Sequence, residues 1–204
     1  MAAPLTRPAG GWLPSRFGVG EEAAVPEAAR AKLEAWLDQL AAWNRKMDLT
    51  AARDAAELAD LMVADALVLA RRIPDGARVV DVGTGAGAPG LALGILRADL
   101  PVTLAEPLLK RVSFLRTLIG ALGLSNVTLR ADRGEALPDD AWDVAVSRAT
   151  LAPPEWLALG LRLAPRAWVL LAKDPPPPGA VEDDVEYTWP LGGAQRRAVL
   201  YRRA

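Results

Sequence analysis

A run of glycines between two apolar segments gives this chain a place to hold a nucleotide. Asp81-Val-Gly-Thr-Gly-Ala-Gly-Ala-Pro-Gly90 follows Ala77-Arg-Val-Val80, which reads as the end of a buried strand. It leads into Leu91-Ala-Leu-Gly-Ile-Leu96, which reads as a helix. A strand, a glycine turn and a helix form the cradle that α/β proteins use for nucleotides, because glycine lets the backbone approach the ligand closely and take φ > 0. An acidic residue, Asp81, precedes the first glycine, and a second, Glu106, ends the next strand, Val102-Thr-Leu-Ala-Glu106. A carboxylate there can accept hydrogen bonds from two ribose hydroxyls. This pairing points to S-adenosylmethionine held by Asp81, Gly83, Thr84, Gly85, Gly87 and Glu106. Gly85-Ala-Gly87-Ala-Pro-Gly90 also fits the dinucleotide fingerprint G-x-G-x-x-G, but a dehydrogenase needs a second, substrate-binding domain. A P-loop needs Gly-Lys-Ser/Thr, and no lysine lies between Lys46 and Lys110. A purely structural glycine turn is the remaining alternative.

Ligands of open α/β sheets bind beyond the carboxyl ends of the strands. Three further strand ends therefore matter: Ala131-Asp-Arg-Gly-Glu135, Ser147-Arg-Ala149 and Lys173-Asp174. The first, with Gly134 and Glu135, should lie beside the adenine. The others should face the transferred methyl group, which gathers Arg133, Arg148 and Lys173 around the reaction centre. Any one of these could be an ordinary surface charge; three at consecutive strand ends are harder to dismiss. The chain has no cysteine and no histidine. Methylation of pyrimidine C5 needs a cysteine adduct and is excluded. Methylation of an exocyclic amine commonly uses Asn/Asp-Pro-Pro-aromatic after the fourth strand of the domain, where this chain has Ser147-Arg-Ala-Thr150. Guanine N7 carries a lone pair and no proton, so its methylation needs placement rather than a base. Arginine can fork onto O6 and stack on bases, so an arginine pocket is compatible with N7 transfer by proximity.

The elements that must position these groups are legible as periodicity. Strands are expected at 78–82, 102–106, 127–131, 142–147, 167–172, 184–189 and 197–202, and helices at 89–97, 108–122 and 153–163. Such alternation predicts a mostly parallel sheet with right-handed crossovers. The short connection from Pro190 to Gln195 predicts a closing antiparallel hairpin. The fold class is thus α/β, a Rossmann-like class I methyltransferase with a seven-stranded sheet and N-terminal helices. Upstream, Leu33, Trp36, Leu37 and Leu40 recur at helical spacing, giving a helix from Glu27 to Asn44. A second helix is expected from Asp54, a plausible N-cap, to Arg72, with Leu58, Leu61, Met62, Asp65 and Leu69 along one side. Asp65 on that apolar stripe reads equally well as a surface carboxylate, since buried unpaired acids are costly. Residues 1–26 lack periodicity and are expected to form a flexible or loosely packed extension, followed by a helical region at 27–76 and the main domain at 77–204.

Composition sets the outer bounds. Of 204 residues, 51% are hydrophobic, as in a globular protein, and the formal net charge is −1. No global field draws the chain to nucleic acid, so any RNA contact must come from a local basic patch. Without cysteine or histidine no disulfide and no thiolate or imidazole metal site can form, and no metal is expected. The first residues carry no apolar export segment, and no apolar run is long enough to span a bilayer, so a cytoplasmic protein without a membrane partner is expected.

The motifs also resemble a known family, the 16S ribosomal RNA guanine-N7 methyltransferases, formerly glucose-inhibited division protein B. The resemblance runs from about Leu33 to the C-terminus. Trp43-Asn44 with Leu49-Thr50 is similar to the family's Trp-Asn…Asn-Leu-Thr segment. The loop at 81–90, with its Pro-Gly pair, is similar to the family's cofactor loop. Lys110-Arg111 with Phe114-Leu115, Ser147-Arg148-Ala149 and Ala172-Lys173 fall on further family motifs. The resemblance implies S-adenosylmethionine as cofactor and 16S ribosomal RNA or the small ribosomal subunit as partner. A monomer is expected, with Arg133, Arg148 and Lys173 as its catalytic residues and Arg148 also touching cofactor. Arg133, Arg148 and Arg196 fall on three family arginines around the cofactor and the RNA target. The chain departs from the family where an Arg-His pair usually precedes Asp-Ser on the second helix; here Leu61 and Met62 precede Asp65-Ala66. Asp48 replaces the second Asn of the early segment, and Asp174 replaces a glycine. A small-molecule methyltransferase on the same fold, or a non-catalytic cofactor-binding protein of the ribosome, are the rival readings.

Overall fold

The computed structural model describes residues 5–19 and 23–203. A seven-stranded sheet organises the chain. Five strands run parallel to one another: β3 (Val79–Val82), β4 (Val102–Ala105), β5 (Val127–Arg130), β6 (Val144–Ser147) and β7 (Arg166–Leu171). Two long strands, β8 (Ala180–Thr188) and β9 (Gln195–Arg202), close it as an antiparallel hairpin, in the order β5-β4-β3-β6-β7-β9-β8. The order reverses between β3 and its neighbours β4 and β6, and such a switch point is where a ligand crevice opens. A small pair, β1 (Gly18–Val19) and β2 (Ala23–Ala24), precedes the helices.

Side chains alternate across each strand, so both faces need cover. Val79 and Trp168 belong to a core with the N-terminal helices, α4 (Gly90–Leu96) and α5 (Leu109–Leu122). Val80, Val82, Ala167 and Val169 belong to a second core on the opposite face, under α6 (Pro153–Leu163). Helix α1 runs Glu27–Met47, and Leu33, Trp36, Leu37 and Leu40 are all completely buried. At about 1.5–3 kcal/mol for each large apolar side chain, that stripe holds α1 on the domain firmly enough for its residues to shape the site. The 27–76 region therefore shares one core with residues 77–204.

The segment before α1 is a correction to the expected flexible extension. Trp12, Leu13, Phe17, Val19 and Val25 are buried in the same core. The Glu34 carboxylate accepts the amides of Trp12 and Leu13 at 3.0 and 2.8 Å, and Arg30 donates to the Leu13 carbonyl at 2.7 Å. Anchors without periodicity gave no signal in the sequence, yet they pack. Residues 1–4 and 20–22 of that expectation lie outside the described residues.

The second helix starts as expected, with the Asp54 side chain accepting the Glu57 amide at 2.8 Å. It does not stay α-helical. Between α2 (Ala55–Ala59) and α3 (Asp65–Ala70) lies a π turn, Asp60–Ala64. No helix among the described residues is long and apolar enough to cross a membrane.

Candidate active site

Two neighbouring cavities open at the carboxyl ends of β3, β4 and β6. The larger, about 720 Å³, is lined by the glycine loop from Gly83 to Ala88 and by Glu106, Pro107, Leu108 and Arg111. Leu49 to Ala51, Leu61, Met62, Arg133 and Arg148 to Thr150 complete it.

The loop is fixed from beneath. Gly83 and Thr84 donate to the Ala105 carbonyl at 2.8 and 3.2 Å, and Gly90 donates to Asp81 Oδ2 at 2.8 Å. A Cβ on Gly90 would lie 2.5 Å from the Asp81 Cβ, so this glycine lets the helix start against the strand. Gly85 differs: its φ is +62°, and a Cβ there would meet open cleft, with only the Gly83 carbonyl near at 3.9 Å. Trp36 Nε1 of α1 donates to the Ala86 carbonyl at 3.2 Å, tying the loop to the N-terminal helix. Asn44 Oδ1 accepts the amides of Leu49 and Thr50 at 2.6 and 2.9 Å, which sets that turn against the cleft and explains the Trp-Asn…Leu-Thr spacing.

Glu106 lies on the cleft floor with its side chain 2% exposed. Its Oε2 accepts the Gly85 amide at 3.0 Å and its Oε1 the Leu108 amide at 2.9 Å. Each carboxylate oxygen has two acceptor sites, so each keeps one for a ligand. Asp81 is wholly buried. Desolvation pushes its carboxyl up to about 6, opposed in part by the Gly90 amide. Among the described residues, the buried side-chain atoms without a hydrogen-bond partner are Asp81 Oδ1, Thr84 Oγ1 and Arg111 Nε. All three sit at or under this cleft. Native interiors rarely leave such atoms unpaired, and a bound polar molecule is one way to satisfy them. Together with the space above Gly85 and the spare acceptors of Glu106, they fit a nucleoside with a charged tail.

The smaller cavity, about 240 Å³, adjoins the first and shares Leu61, Arg148, Ala149 and Thr150 with it. Trp156, Val169 and Leu171 form an apolar part of its wall, and Tyr187, Trp189 and Arg196 of the hairpin a polar one. The dividing segment, Ser147 to Thr150, is built tightly. Ser147 Oγ donates to the Val82 carbonyl at 2.8 Å and contacts Thr150 Oγ1 at 2.9 Å. Ala149 takes φ +53°, a conformation that a side chain other than glycine's adopts at a cost. A Cβ on Gly83 would lie 2.5 Å from Thr150 Oγ1, so this segment rests directly on the glycine loop.

Of the residues singled out in the sequence, Gly83, Thr84, Gly85, Glu106, Arg133 and Arg148 line the larger cleft, Asp81 and Gly87 support it, and Arg148 and Arg196 line the smaller cavity. Gly134 is buried, with Val82 and Leu159 where a Cβ would go, and so serves packing. Glu135 and Lys173 are exposed and line neither cavity. Leu61 and Met62, the departures from the family pattern, line the larger cleft, and the Leu61 carbonyl accepts from Arg148 Nη1. Asp65 is no surface carboxylate: it is 3% exposed and fully partnered. Sequence reasoning missed Tyr187 and Trp189. Their i, i+2 spacing within the strand expected at 184–189 puts both on one face, which was the available signal.

Comparison with known proteins agrees with this geometry. The profile of the family described as GidB, rRNA small subunit methyltransferase G, matches residues 29–173. A protein named ribosomal RNA small subunit methyltransferase G from Anaeromyxobacter dehalogenans is 40% identical over 153 residues, covering 72% of this chain and 70% of its own. One of the same name from Sorangium cellulosum is 38% identical over 206 residues, covering 97% and 83%. Among solved structures, a SAM-dependent methyltransferase from Aquifex aeolicus superposes with a TM-score of 0.51 at 22% identity, covering 69% of this chain and 89% of that one, and so shares the fold.

Proposed function

The chain belongs to the rRNA small subunit methyltransferase G family, and from that premise we propose that it methylates N7 of a guanine in small-subunit ribosomal RNA. It is an S-adenosylmethionine-dependent methyltransferase of class I fold. The observation that carries the finer reading is the shared wall of the two cavities: the larger suits a nucleoside cofactor, the smaller a single base, and Arg148 lies between them.

S-adenosylmethionine supplies an electrophilic methyl group on a sulfonium centre. Asp81, Gly83, Thr84, Gly85 and Glu106 would hold it, with Gly87 supporting the turn. Guanine N7 attacks with its own lone pair and releases no proton, so a site without histidine or cysteine is sufficient. The work left to the protein is placement. Arg148 has the donors to hold O6 and leave the N7 lone pair free to face the methyl group, and Arg133 and Arg196 stand on either side for bases and phosphates. Lys173 is exposed at the next strand end, between Ala172 and Asp174 of the smaller cavity's wall, where it can reach phosphate. A ribosomal RNA substrate makes the cytoplasm the place of action, and one chain carries every residue used here, so a monomer suffices.

The test is a map of modified nucleotides in 16S RNA by mass spectrometry from a strain lacking the gene. One 7-methylguanosine should vanish and return on complementation. Arg148→Ala should cut methyl transfer far more than cofactor affinity. An unchanged map, with methylation of a small metabolite by the purified protein, would overturn the reading.

A further inference from the structure

Two carboxylates of the π turn grip the tip of the C-terminal hairpin. Asp60 is completely buried and accepts the amides of Leu191 and Gly192, the latter at 2.6 Å. Asp65 uses both oxygens. Oδ1 accepts the Tyr187 hydroxyl and the Trp189 indole N–H, each at 2.8 Å. Oδ2 accepts Arg148 Nη1 at 3.3 Å. In an α-helix, residues five apart point about 140° away from each other. The wider π turn closes that angle and lets both acids face the same hairpin.

The reach of Asp65 is longer than its own contacts. Trp189 carries the Arg196 guanidinium 3.8 Å above its ring. One carboxylate therefore holds both arginines of the smaller cavity, Arg148 directly and Arg196 through Trp189. It holds Arg148 end-on, because Nη1 makes the bonds to Asp65 and Leu61. The Nε–H and the two Nη2 hydrogens are then left for another partner. Asp60 is the internal comparison: it grips the same hairpin through backbone amides and bonds no arginine of the cavity.

We propose that Asp65 is the positioning residue of the methyl-transfer site, setting Arg148 and the Trp189–Arg196 stack in one fixed relation across the smaller cavity. The proposal rests on Arg148 facing the substrate. Asp65→Asn keeps size and polarity but removes the charge, and its amide cannot serve all three donors. In the cofactor-free protein, the Trp189 indole and Arg148 guanidinium N–H resonances, identified by their loss in Trp189→Phe and Arg148→Ala, should both move in Asp65→Asn. Asp60→Asn should leave the Arg148 resonance in place. In turnover on small-subunit RNA, Asp65→Asn should lower kcat about 30-fold with cofactor affinity within about threefold. Added to a variant that lacks both arginines, Arg148→Ala with Arg196→Ala, it should cost no more than a further factor of about three, since coupled residues are non-additive. Should Asp65→Asn fail to fold, Tyr187→Phe, which keeps the carboxylate and removes one donor, should still shift the Arg148 resonance. An unmoved Arg148 resonance, or losses that multiply even when both arginines are already removed, would reduce Asp65 to a structural acid and overturn the proposal. If the wild-type protein methylated no ribosomal RNA, the functional reading would fall while the resonance experiment still judged the positioning.

Discussion

Asp81→Asn is expected to make the cofactor-free protein more stable at neutral pH and to leave it little changed in acid. The Asp81 carboxyl is wholly buried, one oxygen bonds the Gly90 amide, and the other has no partner. Its ionised form is disfavoured by desolvation, so the proton is held up to about pH 6, against 3.8 in an open chain. Between those values the unfolded chain has released its proton and the folded one has not, so stability falls as pH rises through the window. A raised carboxyl of this size corresponds to about 3 kcal/mol lost by pH 7, at 1.36 kcal/mol per unit. An asparagine can still accept from Gly90 and has no charge to bury. Other acids with lowered values, such as Asp143 beside Arg78, add stability in the opposite sense. The quantity to measure is therefore the difference between variant and parent from urea unfolding at pH 4 and pH 7.5, without cofactor. The variant should gain on the parent by roughly 2–3 kcal/mol between the two. A difference independent of pH would mean that Asp81 is already ionised in the fold, and that the cradle is less dry than its burial implies.

Removal of the Glu106 carboxylate should act on the ligand more than on the fold. One or two charged hydrogen bonds at about 1.5–3 kcal/mol each make Glu106→Ala at least about tenfold weaker for S-adenosylmethionine by calorimetry, and an unchanged dissociation constant would place the ribose elsewhere. The glycines of one loop should fail in different ways. Gly85→Leu puts a side chain into open cleft at a positive φ and should abolish cofactor binding while the thermal midpoint drops only a few degrees; Gly90→Ala drives a Cβ against Asp81 and should cost the fold itself, which thermal unfolding separates.

The sheet was legible because its signals are local. Each parallel strand is a short β-branched or apolar run ended by glycine, proline or charge, and the expected spans fall within about two residues of β3 to β7 and β9. β8 is the exception: it begins at Ala180, earlier than the alternation around Val185 and Tyr187 suggested, because an exposed edge strand with a bulge between Val181 and Asp183 needs no regular apolar pattern. The cofactor cradle was legible for the same reason, being ten consecutive residues plus Glu106 one strand later. What stayed hidden was long-range. Trp12 and Leu13 gave no period, and their backbone is held by Glu34 and Arg30 of the following helix. Gly134 is read from its place after a strand, and the packing of Val82 and Leu159 where its Cβ would go had no local signal.

Asp65 shows most clearly where local reasoning ends. From the helix alone, an acid on an apolar stripe is an anomaly with two solutions, and the cheaper one is exposure. The choice was decided by Tyr187 and Trp189, more than a hundred residues away, and by Arg148. Those residues can meet it only if the C-terminal hairpin folds back over the second helix and a π turn rotates Asp60 and Asp65 to the same side. A buried carboxylate with one cationic and two neutral donors, held beside the cleft that must place a base, is costly to assemble and unnecessary for a core that leucine could fill. The arrangement is therefore better explained by what it fixes in space, Arg148 and Arg196 facing one cavity, than by the stability it adds.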